Sequence, residues 1–178
     1  MPDLRLVPCG EQAAVGLDDR TGGRLAAARA ELGSGEGGLF IEVRGTRTAN
    51  GIVAREIVRA FPAGEGPWCD SLLAPGELRA HGNEPFWSLT MRRGGIEWAD
   101  PERGSVVFPP AVLSVDDGPR PFGIRTYTSE IPSTPVRRLT VRVHADDCRD
   151  GMSGAWFRLA AEVQLDGVTM QGCAYEGS

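Results

Sequence analysis

The chain contains no lysine: all 19 of its basic residues are arginine. It has only two asparagines, Asn50 and Asn83, and two histidines, His81 and His144. Set against 24 glycines, that bias reads as the mark of a GC-rich genome rather than a functional choice. The net charge is -5 with no basic run, which argues against a nucleic-acid partner. No apolar window approaches the roughly 20 residues of a membrane span. The four cysteines, Cys9, Cys69, Cys148 and Cys173, form no Cys-x-x-Cys pair, and the two histidines are far apart in sequence. A structural zinc site needs clustered thiolates and imidazoles, so neither metal nor cofactor is expected. Ser153 lacks the Gly-x-Ser-x-Gly elbow, and neither histidine has a sequence-visible orienting partner, so no enzyme is expected.

What is present suits two small domains. The chain has 178 residues, 41% of them apolar. Asp70 to Glu77 reads as a linker, with Pro75-Gly76 as the breaker, between domains expected over 1–72 and 76–178. The cysteines fall two to each half. Pairing within halves, Cys9 with Cys69 and Cys148 with Cys173, closes loops of roughly 60 and 25 residues, worth about 4.3 and 3.5 kcal/mol in the chain-entropy limit. Small domains have little core to spare, so such links matter. They imply an oxidising compartment, with the periplasm expected; the competing reading is four buried thiols in a cytosolic protein.

The first half carries one helix. Arg24 to Leu32 is rich in Ala, Leu, Arg and Glu, all strong helix formers. Leu25, Ala28 and Leu32 make its apolar stripe, Gly33 ends it, and Asp18 and Asp19 suit its positive N-terminal end. Leu4–Val7, Leu39–Arg44 and Ile52–Phe61 read as strands. Asn50-Gly51 turns between the last two, and Ile52, Ala54, Glu56 and Val58 being out of phase with Val53, Ile57 and Phe61 points to a bulge in the last strand.

The second half reads as strands alone. Trp87, Leu89 and Met91 share a face, Arg92–Gly95 turns the chain, and Ile96 and Trp98 continue the pattern. Further strands are expected at Ser105–Phe108, Gly123–Thr128 and Arg137–Ala145. Asp166-Gly167 between two apolar runs is the strongest hairpin signal; it pairs Leu165 with Val168, Val163 with Met170 and Ala161 with Gly172. About eight short strands predict a closed or nearly closed antiparallel barrel, so the fold class is mainly β.

Two resemblances follow. Val7-Pro-Cys-Gly-Glu11, the Leu25–Leu32 helix, Phe40-Ile-Glu-Val-Arg-Gly45 and Trp68-Cys69 together resemble the C-terminal OB-like domain of NlpE-type outer-membrane lipoproteins, over roughly residues 4–69. Fewer residues precede Cys9 than that family's first strand requires. Gly82-Asn-Glu-Pro-Phe-Trp87, Cys148-Arg-Asp-Gly-Met-Ser153 and Asp166-Gly167 with Gly172-Cys173 resemble a family of bacterial envelope lipoproteins of uncharacterised function, related in architecture to META/HslJ β-domains. That match spans roughly 78–175. Where the family has an aromatic-Pro pair after the serine, this chain has Gly154-Ala-Trp-Phe157.

The resemblances imply a non-catalytic periplasmic or outer-membrane lipoprotein that senses, scaffolds or binds an envelope protein. Its signal segment and lipobox cysteine would lie upstream of Met1, and its contact with the membrane would be through that lipid anchor alone. The alternative is a small-ligand-binding or lysozyme-inhibitor-like barrel. The binding candidates are Asn83, Glu84, Trp87, Arg149, Asp150, Met152 and Ser153, the polar and aromatic residues of the two richest loops. Asn83, Glu84, Asp150 and Trp87 also have a structural reading. Asn83 and Glu84 could support a turn that Pro85 fixes, with Glu84 bonding nearby backbone N–H groups. Asp150 could fold onto its own turn with Gly151 at positive φ. The tryptophans Trp87, Trp98 and Trp156 are expected in the core of the second half.

Overall fold

A computed structural model describes residues 4–33, 38–62, 64, 69–102, 104–115 and 123–177. It resolves into two compact units. One comprises Met1–Leu72 together with Ser153–Trp156; the other comprises Leu73–Met152 and Phe157–Ser178.

The first unit contains strands β1 (Arg5–Leu6) and β2 (Val15–Asp19), helix α1 (Arg24–Leu32), and strands β3 (Leu39–Thr48) and β4 (Gly51–Pro62). The β3–β4 hairpin is antiparallel, β2 runs parallel to β4, and β1 pairs antiparallel with β2. Two register shifts in the hairpin leave Val58 and Arg55 as extra residues on β4, the bulged region the phase change predicted. Leu25 and Ala28 are buried against Ile57 and Ala60, with Leu32 packed alongside. The fifth buried member of this core is Trp156, which the sequence reading assigned to the second half. Ser153–Trp156 thus returns to the first unit, an arrangement without a signal in the local sequence.

The start of α1 differs from expectation. The N-cap is Gly23 in the left-handed conformation with no side-chain cap. Asp19 acts one step removed: its Oδ1 accepts the Thr21 hydroxyl at 2.6 Å, and the Thr21 Oγ1 accepts the Leu25 N–H at 3.0 Å. At the other end the Gly33 N–H reaches the Arg29 carbonyl, and a Cβ at Gly33 would stand 2.5 Å from that oxygen. Beneath the hairpin lies a feature missed in the sequence. Arg59 donates to Glu42 at 2.6 Å, with side chains only 2% and 7% exposed, and to the Ser71 carbonyl at 3.2 Å. Ser71 lies in the 3-10 turn Cys69–Ser71, which the Cys9–Cys69 disulfide also holds. Trp68 lies outside the described residues.

The second unit is a curled antiparallel sheet of nine strands. In chain order these are β5 (Leu78–Asn83), β6 (Phe86–Arg92), β7 (Gly95–Asp100), β8 (Gly104–Phe108), β9 (Val112–Val115), β10 (Arg125–Ile131) and β11 (Arg137–His144). After the two-residue strands β12 (Cys148–Arg149) and β13 (Trp156–Phe157) come β14 (Leu159–Leu165) and β15 (Val168–Glu176). The sheet order is β8-β7-β6-β5-β15-β14-β11-β10-β9. Its two ends are successive in the chain: Pro109-Pro110 carries the backbone from β8 to β9, and the Ser129 hydroxyl of β10 donates to the Pro109 carbonyl at 2.8 Å. The exposed β9, Val-Leu-Ser-Val, was not anticipated. The strand expected at Gly123–Thr128 begins two residues later and runs to Ile131.

Alternation sets the interior. Leu78, Ala80, Trp87, Leu89, Met91, Ile96, Trp98, Leu139, Val141, Val143, Ala161, Val163, Leu165, Met170 and Ala174 fill it, so the curled sheet is packed rather than hollow. The β14–β15 hairpin has the expected register, with Leu165 opposite Val168 and Ala161 opposite Gly172. Asp166 (φ 51°) and Gly167 (φ 88°) both take positive φ, as a type I′ turn requires. The Asp166 carboxylate also receives the Arg138 N–H and the Arg137 guanidinium at 2.9 Å, which anchors the turn to β11.

Candidate functional site

Both disulfides are present, Cys9–Cys69 and Cys148–Cys173, with Cα–Cα distances of 5.5 and 5.4 Å. The second lies within the second unit and joins β12 to β15. Cys173 is the ladder partner of His81 on β5, so the bridge holds the residues after Cys148 close to the end of β5.

There the two motifs meet. Asp150 is 8% exposed, and three donors converge on its carboxylate. Its Oδ1 accepts the Met152 N–H at 3.1 Å. Its Oδ2 accepts the Asn83 amide at 2.9 Å and faces the His81 Nε2 at 3.3 Å. A carboxylate only accepts, so Asn83 must present its NH2, not its oxygen, to Asp150. The His81 ring also stands edge-on to Phe157 at 4.9 Å, and Phe157 packs on Tyr175 at 5.9 Å. Asp150 therefore does fold onto its own turn, as read from the sequence, but it also clamps β5. Gly151 does not take positive φ; in this loop Gly154 does, at 67°.

The remaining candidates separate by environment. Glu84 is exposed at the tip of the β5–β6 hairpin, beside a cis Glu84–Pro85 peptide, and bonds none of the neighbouring N–H groups. Arg149 is exposed, and Met152 is 70% exposed at the apex of its turn. Ser153 falls in the first unit, where its hydroxyl accepts the Ala155 N–H at 3.2 Å. Trp87 is 3% exposed and stacks on Trp98, with centroids 5.4 Å apart and planes 7° from parallel. The glycines of the motifs make room for it. A Cβ on Gly82 would lie 2.3 Å from the Trp87 Nε1; one on Gly172 would lie 2.8 Å from the ring and 2.0 Å from the His81 carbonyl. Phe86, not singled out in the sequence, is 52% exposed beside these groups, directly opposite Asn83 in the ladder.

A depression of about 470 Å³ crosses the outer face here, lined by His81, Asn83, Phe86, Ser88, Ala99 and Ser105 among others. Four of these form one cross-strand row: His81 opposite Ser88, Ser88 opposite Ala99, Ala99 opposite Ser105. Among the described residues no group of three or more His, Cys, Asp or Glu side chains could hold a metal ion.

The fold and site define a mainly β protein, linked by two disulfides, with a buried carboxylate tying two loops into one surface. No family model, curated protein or solved structure matches the chain. The disulfides fit a chain that folds in an oxidising compartment, and among the described residues no helix is long and apolar enough to cross a membrane.

Proposed function

We propose that the protein is a non-catalytic recognition module of the bacterial envelope, acting through the surface where the β5–β6 hairpin meets the Cys148–Met152 loop. The observation that carries this reading is the Asn83–Asp150 hydrogen bond of 2.9 Å. It makes one surface of two loops 67 residues apart, with Phe86 and Met152 exposed beside it. Exposed aromatic and methionine side chains around a rigid polar centre are the usual anchors of a binding patch. The carboxylate of Asp150 is fully engaged in holding that centre, which suits support better than acid–base chemistry. A periplasmic location, with a lipid anchor upstream of Met1, extends the inference from the disulfides and from the lipoprotein resemblance. An OB-like fold for the first unit belongs to the same proposal.

The test is capture from an envelope extract on immobilised protein, with the retained molecules identified by mass spectrometry. Phe86→Ala and Met152→Ala should each lose the wild-type partner while melting at the wild-type temperature, since both side chains are mostly exposed. Retention of the same partner by the double variant would refute the assignment of the surface. Hydrolysis of peptidoglycan by the wild type, lost in Asp150→Asn, would refute the non-catalytic reading.

A further inference from the structure

The depression beside Phe86 has a chemistry that narrows its occupant. We infer that it is a subsite for a neutral oligosaccharide, with a sugar ring seated on Phe86 and its hydroxyls directed at the floor. This rests on the recognition surface proposed above and names its ligand class.

The floor is the row His81, Ser88, Ala99 and Ser105, which spans four strands and therefore about 14 Å. That length suits two to three pyranose rings in line. Small side chains keep the floor low, and the Ser88 and Ser105 hydroxyls make no hydrogen bond to other described residues. Asn83, whose NH2 is engaged by Asp150, lines the same depression. Phe86, half-exposed, lines the depression with them. A half-exposed aromatic side chain beside two uncommitted serine hydroxyls matches a ligand with one C–H face and a rim of hydroxyls.

Other classes fit less well. β5, β6 and β7 are paired on both edges; of the lining strands only β8, at the end of the sheet order, leaves an edge for an extended peptide, and that edge lies at one side of the depression rather than along its floor. The carboxylates of Asp100, which lines the depression, and of neighbouring Asp150 disfavour an anion. Both already accept hydrogen bonds, Asp100 from the Glu102 N–H, so neither is a vacant cation ligand.

The experiment is titration of the intact, disulfide-linked protein with chitotriose, cellotriose and maltotriose at millimolar concentration, followed by 1H–15N shift mapping and tryptophan fluorescence. Trp87 lines the depression and serves as the internal reporter. At least one sugar should shift the amides of Asn83, Ser88 and Ser105, and Phe86→Ala should weaken that binding about tenfold, the upper range for one aromatic contact, with an unchanged melting temperature. Ser88→Val should weaken it without touching Phe86. Absence of shifts with all three sugars, or shifts that persist undiminished in Phe86→Ala, overturns the inference. If Phe86→Ala still loses the captured partner while the sugars are silent, the recognition surface stands and the saccharide does not.

Discussion

Replacing Asp150 by alanine should destabilise the second unit far more than a loop substitution ordinarily does. The change removes the acceptor for the Met152 N–H, the Asn83 amide and the His81 imidazole. An unsatisfied buried donor costs about 1–3 kcal/mol. Asn83 and His81 are half-buried and regain some water, so the low end applies to each, and the total is about 3 kcal/mol. For a unit of about 100 residues, that corresponds to a fall in Tm of roughly 15 °C. Asp150→Asn should cost about half as much, because Asn83 can turn its oxygen inward and a neutral His81 can accept at Nε2. The assay is thermal and urea unfolding under non-reducing conditions, followed by the near-ultraviolet signal of the Trp87–Trp98 stack. An alanine variant that melts with the wild type would refute the clamp.

Other substitutions have equally definite outcomes. Gly172→Ala should abolish the native second unit or cost more than the roughly 1–3 kcal/mol of ordinary overpacking, because its Cβ would meet the His81 carbonyl at 2.0 Å; urea unfolding decides this. Glu42→Ala strands the buried Arg59 and should cost the first unit about 3–5 kcal/mol, read as a loss of its own unfolding transition in calorimetry. Glu162 is held below the usual carboxylate range by hydrogen bonds from Arg142 and then Gln171. Its contribution is therefore complete above its unfolded value of about 4.3 and is lost as pH falls through the lower folded value. Glu162→Gln should flatten the decline of stability with acid in that window, and an unchanged acid profile would count against the bonds.

Much of this fold was legible because local signals carried it. The bounds of α1, the Asp166-Gly167 turn with its register, and the division of the cysteines into two pairs each rest on chemistry within a few residues or within one half. What escaped depends on approach through space. Phe86 was one letter of the Gly82–Trp87 motif, and only the fold shows it exposed opposite Asn83 and beside the depression. Glu42 and Arg59 are unremarkable strand residues until the β3–β4 register sets them opposite each other under Phe40 and Phe61. Trp156 was read as core of the second half, and nothing near it announced that its neighbours would be Leu25, Ala28 and Ile57. The candidate site was half visible. Asn83 and Asp150 were both singled out and do meet, but the histidine beside Asp150 was not, because that partner lies 69 residues on in the chain and is reached only through the fold. Gly82 and Gly172 were motif letters in the sequence; the Trp87 ring above them is their physical reason.

The central claim, that the junction of the β5–β6 hairpin with the Cys148–Met152 loop is the recognition surface, is tested most directly by placing a photoreactive phenylalanine analogue at Phe86 and, as control, at the exposed Arg93 of the β6–β7 turn, at the opposite end of β6. Irradiation of bacteria exporting each protein, followed by intact-mass analysis, should give a discrete adduct from position 86 and none from position 93. Adducts of equal yield from both positions, or from 93 alone, would contradict the account.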